Sequence, residues 1–322
     1  MATLTCDICD GKLVIGAGGV ATCEECGMEH TKERLKEKLR ESQGQPASTG
    51  SAPTSSSNTS NQIATWLTMA ESALQAENHG ESEMYATRIL EVNPSHAHAW
   101  YIKGKSAGWQ STLGNKRLQE SRTCFTNALQ HTPEAEQSAY AAELLDELAN
   151  IARALVQVNA NLFSDYPSDA DDFQENVNTV ISTVAVFEER ISLVADEMRN
   201  DMANSINIAA VAAWNNKIVP DYEGDDDYPS KYQFETLIEQ ASQCTSMIEF
   251  AIGLKEPHVD DLMRYDNLIV MHEFCCDACS WSHEYGDEGS YYEREFSLTD
   301  AAIASRKALI QDYKKKKQLI QQ

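Results

Sequence analysis

Trp66 and Trp100 stand 34 residues apart, and much of what surrounds the first recurs around the second. Ile63, Trp66, Leu67, Ala70, Ala73 and Leu74 lead to Gly80 and then to a helix-like run from Tyr85 that closes at Pro94. Ala99, Trp100, Gly104 and Ala107 lead to Cys124, Phe125, Ala128 and Leu129, closing at Pro133. Self-similarity at a fixed period of this size means one supersecondary unit used more than once. The spacing of the apolar residues makes each unit a pair of helices. Small Ala70 and Gly104 let the second helix of a unit approach the first, while the tryptophans fill space toward the next unit. Pro94 and Pro133 end the second helices. Two such units leave apolar faces uncovered, so helices further along must cap them.

Those helices are legible. Leu144, Leu148, Ile151, Leu155, Val158 and Leu162 advance in steps of four and three, which predicts one continuous apolar stripe. Val177, Val180, Val184, Phe187, Ile191, Val194 and Met198 do the same. Ahead of them Ser168, Asp169, Asp171 and Asp172 form an acid-rich start that suits the helix dipole. Further helices are expected at about 202–218, 230–253, 257–285 and 298–320, with few strand candidates after residue 30. The expectation is an all-α body in which residues 134–322 form antiparallel helical hairpins.

Ahead of the body, Cys6, Cys9, Cys23 and Cys26 are spaced C-x2-C-x13-C-x2-C. Thiolates two residues apart grip one side of a zinc ion, and two such knuckles at the two ends of a short hairpin supply all four tetrahedral ligands. Lys12 to Ile15 and Val20 to Thr22 read as that hairpin, reversed at Gly16–Gly19. Residues 1–31 are too few to bury a core, so the metal would supply the folding energy, roughly 10–16 kcal/mol. Four sulfur ligands leave no open position, which predicts one structural Zn2+ and not a catalytic one. His30 reads as a bystander or an outer donor. The nine cysteines are an odd number, and neither a secretory h-region nor a bilayer-length apolar run is written. That usage favours zinc over disulfides and points to a cytoplasmic protein.

Residues 32–62 divide the two regions. Lys32, Glu33, Arg34, Lys36, Glu37, Lys38, Arg40 and Glu41 suit a short exposed helix. From Ser42 to Asn61 the chain is nearly all small and polar, and such a stretch is expected to be a flexible tether. The net charge is −24; residues 1–40 contribute −1, Glu41 −1 and residues 305–322 +5, which leaves −27 on residues 42–304. A surface so negative repels phosphate backbones and anionic lipid, so nucleic acid and membrane are poor partners for the body.

Other features carry less. His272, Cys276, Cys279 and His283, with Cys275 among them, would share one helix face, but its ends are about 16 Å apart, too far for one metal. Core packing is the expectation there. The acidic run Asp221–Pro229 puts Val219 at the first position of a calcium loop, where it cannot ligate, so it reads as a solvated turn. His96 and His98 read as surface or packing residues. The lysines at 314–317 suit the end of a last helix, with an intramolecular clasp on the acidic body as a further option. No nucleophile motif or phosphate-binding glycine loop occurs in the sequence, and no catalytic residue is nominated.

Residues 63–133 resemble two tetratricopeptide repeats: a Trp, a small residue four later, large and small residues alternating on the second helix, and a terminal proline. Ser82 and Ser121 take consensus small positions, and the second repeat holds about five extra residues around Gly108–Lys116. Residues 1–30, with Gly27 after the last cysteine, resemble a zinc ribbon; Asp10 stands where ribbon knuckles commonly carry glycine. The whole is similar to bacterial proteins that join a ribbon, a low-complexity linker and tetratricopeptide-like helices. That resemblance implies a non-enzymatic adaptor that binds zinc and a protein or peptide in its helical groove. The alternative is a ribbon associated with transcription or nucleic acid.

Overall fold

The computed structural model describes residues 12–15, 21–24, 29–30, 55–112, 114–220, 231–278, 280–285 and 292–322. The protein is mainly helical and divides into two compact units. The first takes Met1–Ala152 with Ser182–Val194, and the second takes Arg153–Ile181 with Ala195–Gln322.

In the first unit a small antiparallel sheet runs β1 (Leu13–Ile15), β2 (Ala21–Cys23) and β3 (Glu29–His30), in that order. The hairpin expected between the cysteine pairs is therefore present, with Leu13 opposite Cys23. Four helices follow: α1 (Ser55–Gln75), α2 (His79–Val92), α3 (Ala97–Trp109) and α4 (Leu118–Gln130). Each packs on the next, and α1 also reaches α3. Helix α5 (Glu134–Asp165) contributes its first half to this unit.

Helix α1 corrects the expected extent of the tether. Residues 55–61 belong to the helix, although their composition is that of a linker. Once Ala70 is buried and Leu67 and Leu74 pack in the core, each residue added toward the N-terminus gains a backbone bond without a new nucleus. Hydroxyls lie back along the helix too, Thr65 Oγ1 donating to the Asn61 carbonyl at 2.9 Å.

The small residues act as their positions imply. Ala70 is fully buried, and Ser82 Oγ donates to its carbonyl across the α1–α2 contact at 2.9 Å. A Cβ on Gly104 would lie 2.8 Å from Cys124 Cβ and from the Phe125 ring, so α3 and α4 touch closely there. A Cβ on Gly108 would collide with Ile151 of α5. Ile89, Ile102, Phe125, Leu144 and Leu148 are fully buried around these contacts, each contributing about 1.5–3 kcal/mol. Helix starts are capped by Asn78, which accepts from the Glu81 amide, and by His96, whose Nδ1 accepts from the Ala99 amide at 3.2 Å. His96 is thus a cap, a role its sequence neighbourhood does not announce. The extra residues expected around Gly108–Lys116 lie in the connection 110–117 between α3 and α4, which is longer than the connection 76–78 between α1 and α2.

The second unit holds the rest of α5, a 3-10 turn (Pro167–Asp169) and the first part of α6 (Ala170–Ile191). Helix α7 (Asp196–Ala213) runs on through a π-helical turn (Trp214–Ile218). Then come α8 (Lys231–Gly253), α9 (Asp261–Ala278), β4 (Ser280–Tyr285), β5 (Tyr292–Ser297) and α10 (Asp300–Ile320). Helix α8 packs on α7 and α9, and α9 packs on α10.

Three expectations fail between α5 and α10. The stripe Val177–Met198 is not one helix: α6 stops at Ile191, Ser192 takes φ 54°, and Val194 is 65% exposed. A new helix starts at Asp196, where Asp196 and Glu197 favour its positive end. The stripe on α5 ends early, since Val158 and Leu162 are exposed while Val156, Ala160 and Phe163 are buried. Phe163 meets Phe173 at 5.7 Å, so the apolar face of this half is chosen by α6. Finally, the helix expected over 257–285 ends at Ala278, and β4 and β5 form an antiparallel hairpin pairing Trp281 with Phe296. Residues 280–285 and 292–297 alternate in steps of two, a strand signal that the preceding helical run obscures.

Candidate functional site

Helix α3 is buried almost all round. Ala99, Trp100, Ile102, Lys103, Gly104, Ser106, Ala107 and Gly108 are all inside. One stripe remains open: His98, Tyr101, Lys105 and Trp109, spaced by three, four and four residues so that they share a face. On one side of it His98 Nε2 lies 3.0 Å from Glu71 Oε1 of α1. On the other, Glu147 of α5 accepts from Lys105 Nζ and from Trp109 Nε1, both at 2.8 Å.

Rings line the same stripe. Tyr101 stacks on His98 at 5.7 Å and stands 6.4 Å from Tyr140 of α5. His79, at the start of α2, stacks on Trp109 at 6.4 Å. Burial pushes the Tyr101 phenol up, with the charges of Glu147 and Glu143 adding to it. Burial likewise raises Tyr140, again helped by Glu143. Both phenols therefore stay neutral donors at neutral pH. Burial would lower Lys105, but the bond to Glu147 and its charge outweigh that, so the ammonium is held charged. Such π faces, phenols and carboxylates are chemically able to stack against flat groups and to attract cations. The sequence reading singled out only His98 here. The recurring three-and-four spacing of polar and aromatic residues on an otherwise small-residue helix was the available signal.

A second polar cluster ties α2 and α4 to the connection between α3 and α4. Arg117 donates through Nη1 and Nη2 to Glu83 at 2.9 and 2.6 Å and through Nε to Glu120 at 2.8 Å. Gln110 adds a bond to Glu83 at 2.7 Å. Burial would raise Glu83, but the Arg117 bonds and charge win and hold it below the ordinary carboxylate range. Glu120 goes the other way: its burial outweighs Arg117.

Of the four expected zinc ligands, Cys23 is described, at the end of β2 and 2% exposed. Cys6, Cys9 and Cys26 lie outside the described residues, as do the charged stretch 32–41 and the acidic run Asp221–Pro229. His30 lies in β3, opposite Ala21. In the second unit His272 and Cys275 are buried, at 4% and 1% exposure, and Cys276 is half-buried. His283 lies on β4, so the shared helix face expected for it does not exist; Cys279 lies outside the described residues. Among the described residues no group of three or more His, Cys, Asp or Glu is placed to hold a metal. Two C-terminal lysines form a clasp on α9, Lys314 reaching Glu273 at 3.1 Å and Lys317 pairing with Asp266, while Lys316 pairs with Asp312 within α10 at 2.8 Å.

No protein-family model matches this chain, and no curated protein or solved structure matches it either. Among the described residues no helix is long and apolar enough to cross a membrane.

Proposed function

We propose that the protein is a non-catalytic cytoplasmic adaptor, in which a tetratricopeptide-like array presents the α3 groove to a protein or peptide. A zinc ribbon at the N-terminus adds a second point of attachment. The observation that carries this reading is the α3 stripe, open along four positions while every intervening position from Ala99 to Gly108 is buried. A ring-lined, partly exposed face on the central helix of a stack is suited to a partner, over and above the bonds it makes to α1 and α5. Support for the ribbon comes from strand register. Pairing Leu13 with Cys23 puts the start of β1 and the end of β2 at one end of the hairpin, and in the sequence Cys6 and Cys9 precede that start while Cys26 follows that end. Bound there, Zn2+ would tie the two ends of the hairpin through Cys6, Cys9, Cys23 and Cys26 and supply folding energy to a segment too small for a core.

Two measurements on the intact chain test this. Elemental analysis is expected to give one zinc per chain, lost when Cys9 and Cys26 are changed to serine. Affinity capture with the intact chain, a form lacking residues 1–31 and a Trp109→Ala variant is expected to recover a common protein that falls away in both altered forms. Zinc-free protein with cysteine thiols fully reactive would remove the ribbon, and capture indifferent to Trp109 would remove the groove.

A further inference from the structure

Strands β4 and β5 pair with each other and, among the described residues, with no other strand, so their ribbon has two unpaired edges. A two-stranded ribbon is marginal in water, and an open edge is a template for a further strand. The register sorts the residues by face. Trp281, His283 and Tyr285 stand opposite Phe296, Arg294 and Tyr292 on one face. Ser280, Ser282 and Glu284 stand opposite Ser297, Glu295 and Glu293 on the other. One face thus takes two aromatic pairs, and the other takes only serines and glutamates.

The two edges differ in whether they can accept a copy of themselves. Antiparallel pairing about a two-fold axis sets each residue opposite the one equally far beyond the axis, and the residue on the axis opposite its own copy. The middle of β5 holds Glu293, Arg294 and Glu295, so an axis at any of these three sets like charge on like. Charge closes that edge. On β4 an axis at His283 sets Trp281 opposite Tyr285 of the second copy, twice over, and Ser282 opposite Glu284, with no Glu opposite a Glu. An axis at Ser282 forfeits the Trp–Tyr pairs, and one at Glu284 opposes two carboxylates.

We propose that the protein associates with a second copy of itself by antiparallel pairing of β4 with β4 about an axis at His283, giving a four-stranded sheet. Each outer row of its aromatic face would read Phe296 and Trp281, then Tyr285 and Tyr292 of the second copy. Four strands with one apolar face meet the condition for stability that a lone ribbon does not. This association lies within the second unit and is independent of the adaptor reading.

Sedimentation velocity of the full chain from about 1 to 200 µM is expected to show a reversible monomer–dimer equilibrium. His283→Lys sets two ammonium groups opposite each other at the axis and should weaken dimerisation at least about tenfold. Gln318→Lys, which adds a lysine at an exposed site on α10, should leave it unchanged. A second variant reads the pairing by a gain: His283→Cys sets a thiol opposite its own copy. Oxidised glutathione should then give a covalent dimer at least about tenfold faster than with Ser282→Cys or the unaltered chain. A chain monomeric at every concentration, whose His283→Cys form cross-links no faster than the unaltered chain, overturns the proposal. So does a dimer that His283→Lys leaves intact. Cross-linking as fast through Ser282→Cys as through His283→Cys overturns the assigned register.

Discussion

In the first unit Arg117 spreads its guanidinium over Glu83 and Glu120, with about a fifth of its side chain in water. In the second unit Arg264 is wholly buried; it pairs with Asp261, donates to Asn204 Oδ1 at 2.7 Å, and its Nε has no partner among the described residues. Asp261 is equally buried and also accepts from Lys255 Nζ at 3.0 Å and from the His258 amide at 2.8 Å. A half-wet cluster can share a lost bond with solvent, whereas a dry one leaves the survivor uncompensated. The same chemistry therefore carries different risk in the two places.

The widest separation is expected from Asp261→Ala, which strands Arg264 and should cost about 3–5 kcal/mol in urea unfolding. Arg117→Met at the half-wet cluster should cost less; an equal cost would break the contrast. Next comes acid. His272 is 4% exposed, faces Arg306 Nη1 at 3.1 Å, and burial followed by the Arg306 charge lowers it to about 4. Its folded value lies below the unfolded one, so its stability is full above about pH 6.5 and lost as pH falls toward 4. The loss is on the order of 3 kcal/mol, and His272→Gln should flatten that part of the stability–pH curve. In the first unit Glu83, held low by Arg117, keeps its contribution until pH falls below the ordinary carboxylate range.

Packing offers a smaller effect. Gly104→Ala forces a methyl against Cys124 and Phe125 and should cost about 1–3 kcal/mol by thermal melting. Gly80→Ala, whose nearest neighbour would be Gln110 Oε1 at 3.8 Å, should be neutral or slightly stabilising. Least of all, removing the Lys314 and Lys317 charges together should cost about 1 kcal/mol or less and vanish in high salt. A larger effect would mean that the clasp, and not Ile310 and Tyr313, anchors α10.

Much of the helical stack was legible because its rules are local. Small Ala70 and Gly104, stops at Pro94 and Pro133, and steps of three and four each report a contact within one hairpin. The candidate groove was less so. His98 drew notice only as a histidine, and Lys105, Trp109, Tyr140 and Glu147 drew none, because each is unremarkable until α1 and α5 flank α3. The acidic C-terminal half misled in one way: a helical period ran through Ser192, where the backbone turns left-handed, and past Ala278, where it becomes a strand.

By itself, then, the sequence determined where helices form along most of the body, which small residues allow close approach, and the spacing of four cysteines. These follow from backbone period, steric size and ligand spacing, which neighbours in the chain decide among themselves. Only the tertiary structure decided which stripe of α3 stays open, that Lys314 and Lys317 close on α9, and that Arg264 is buried against Asn200 and Asn204. Those outcomes depend on partners from 27 to 64 residues away, and no local pattern records them.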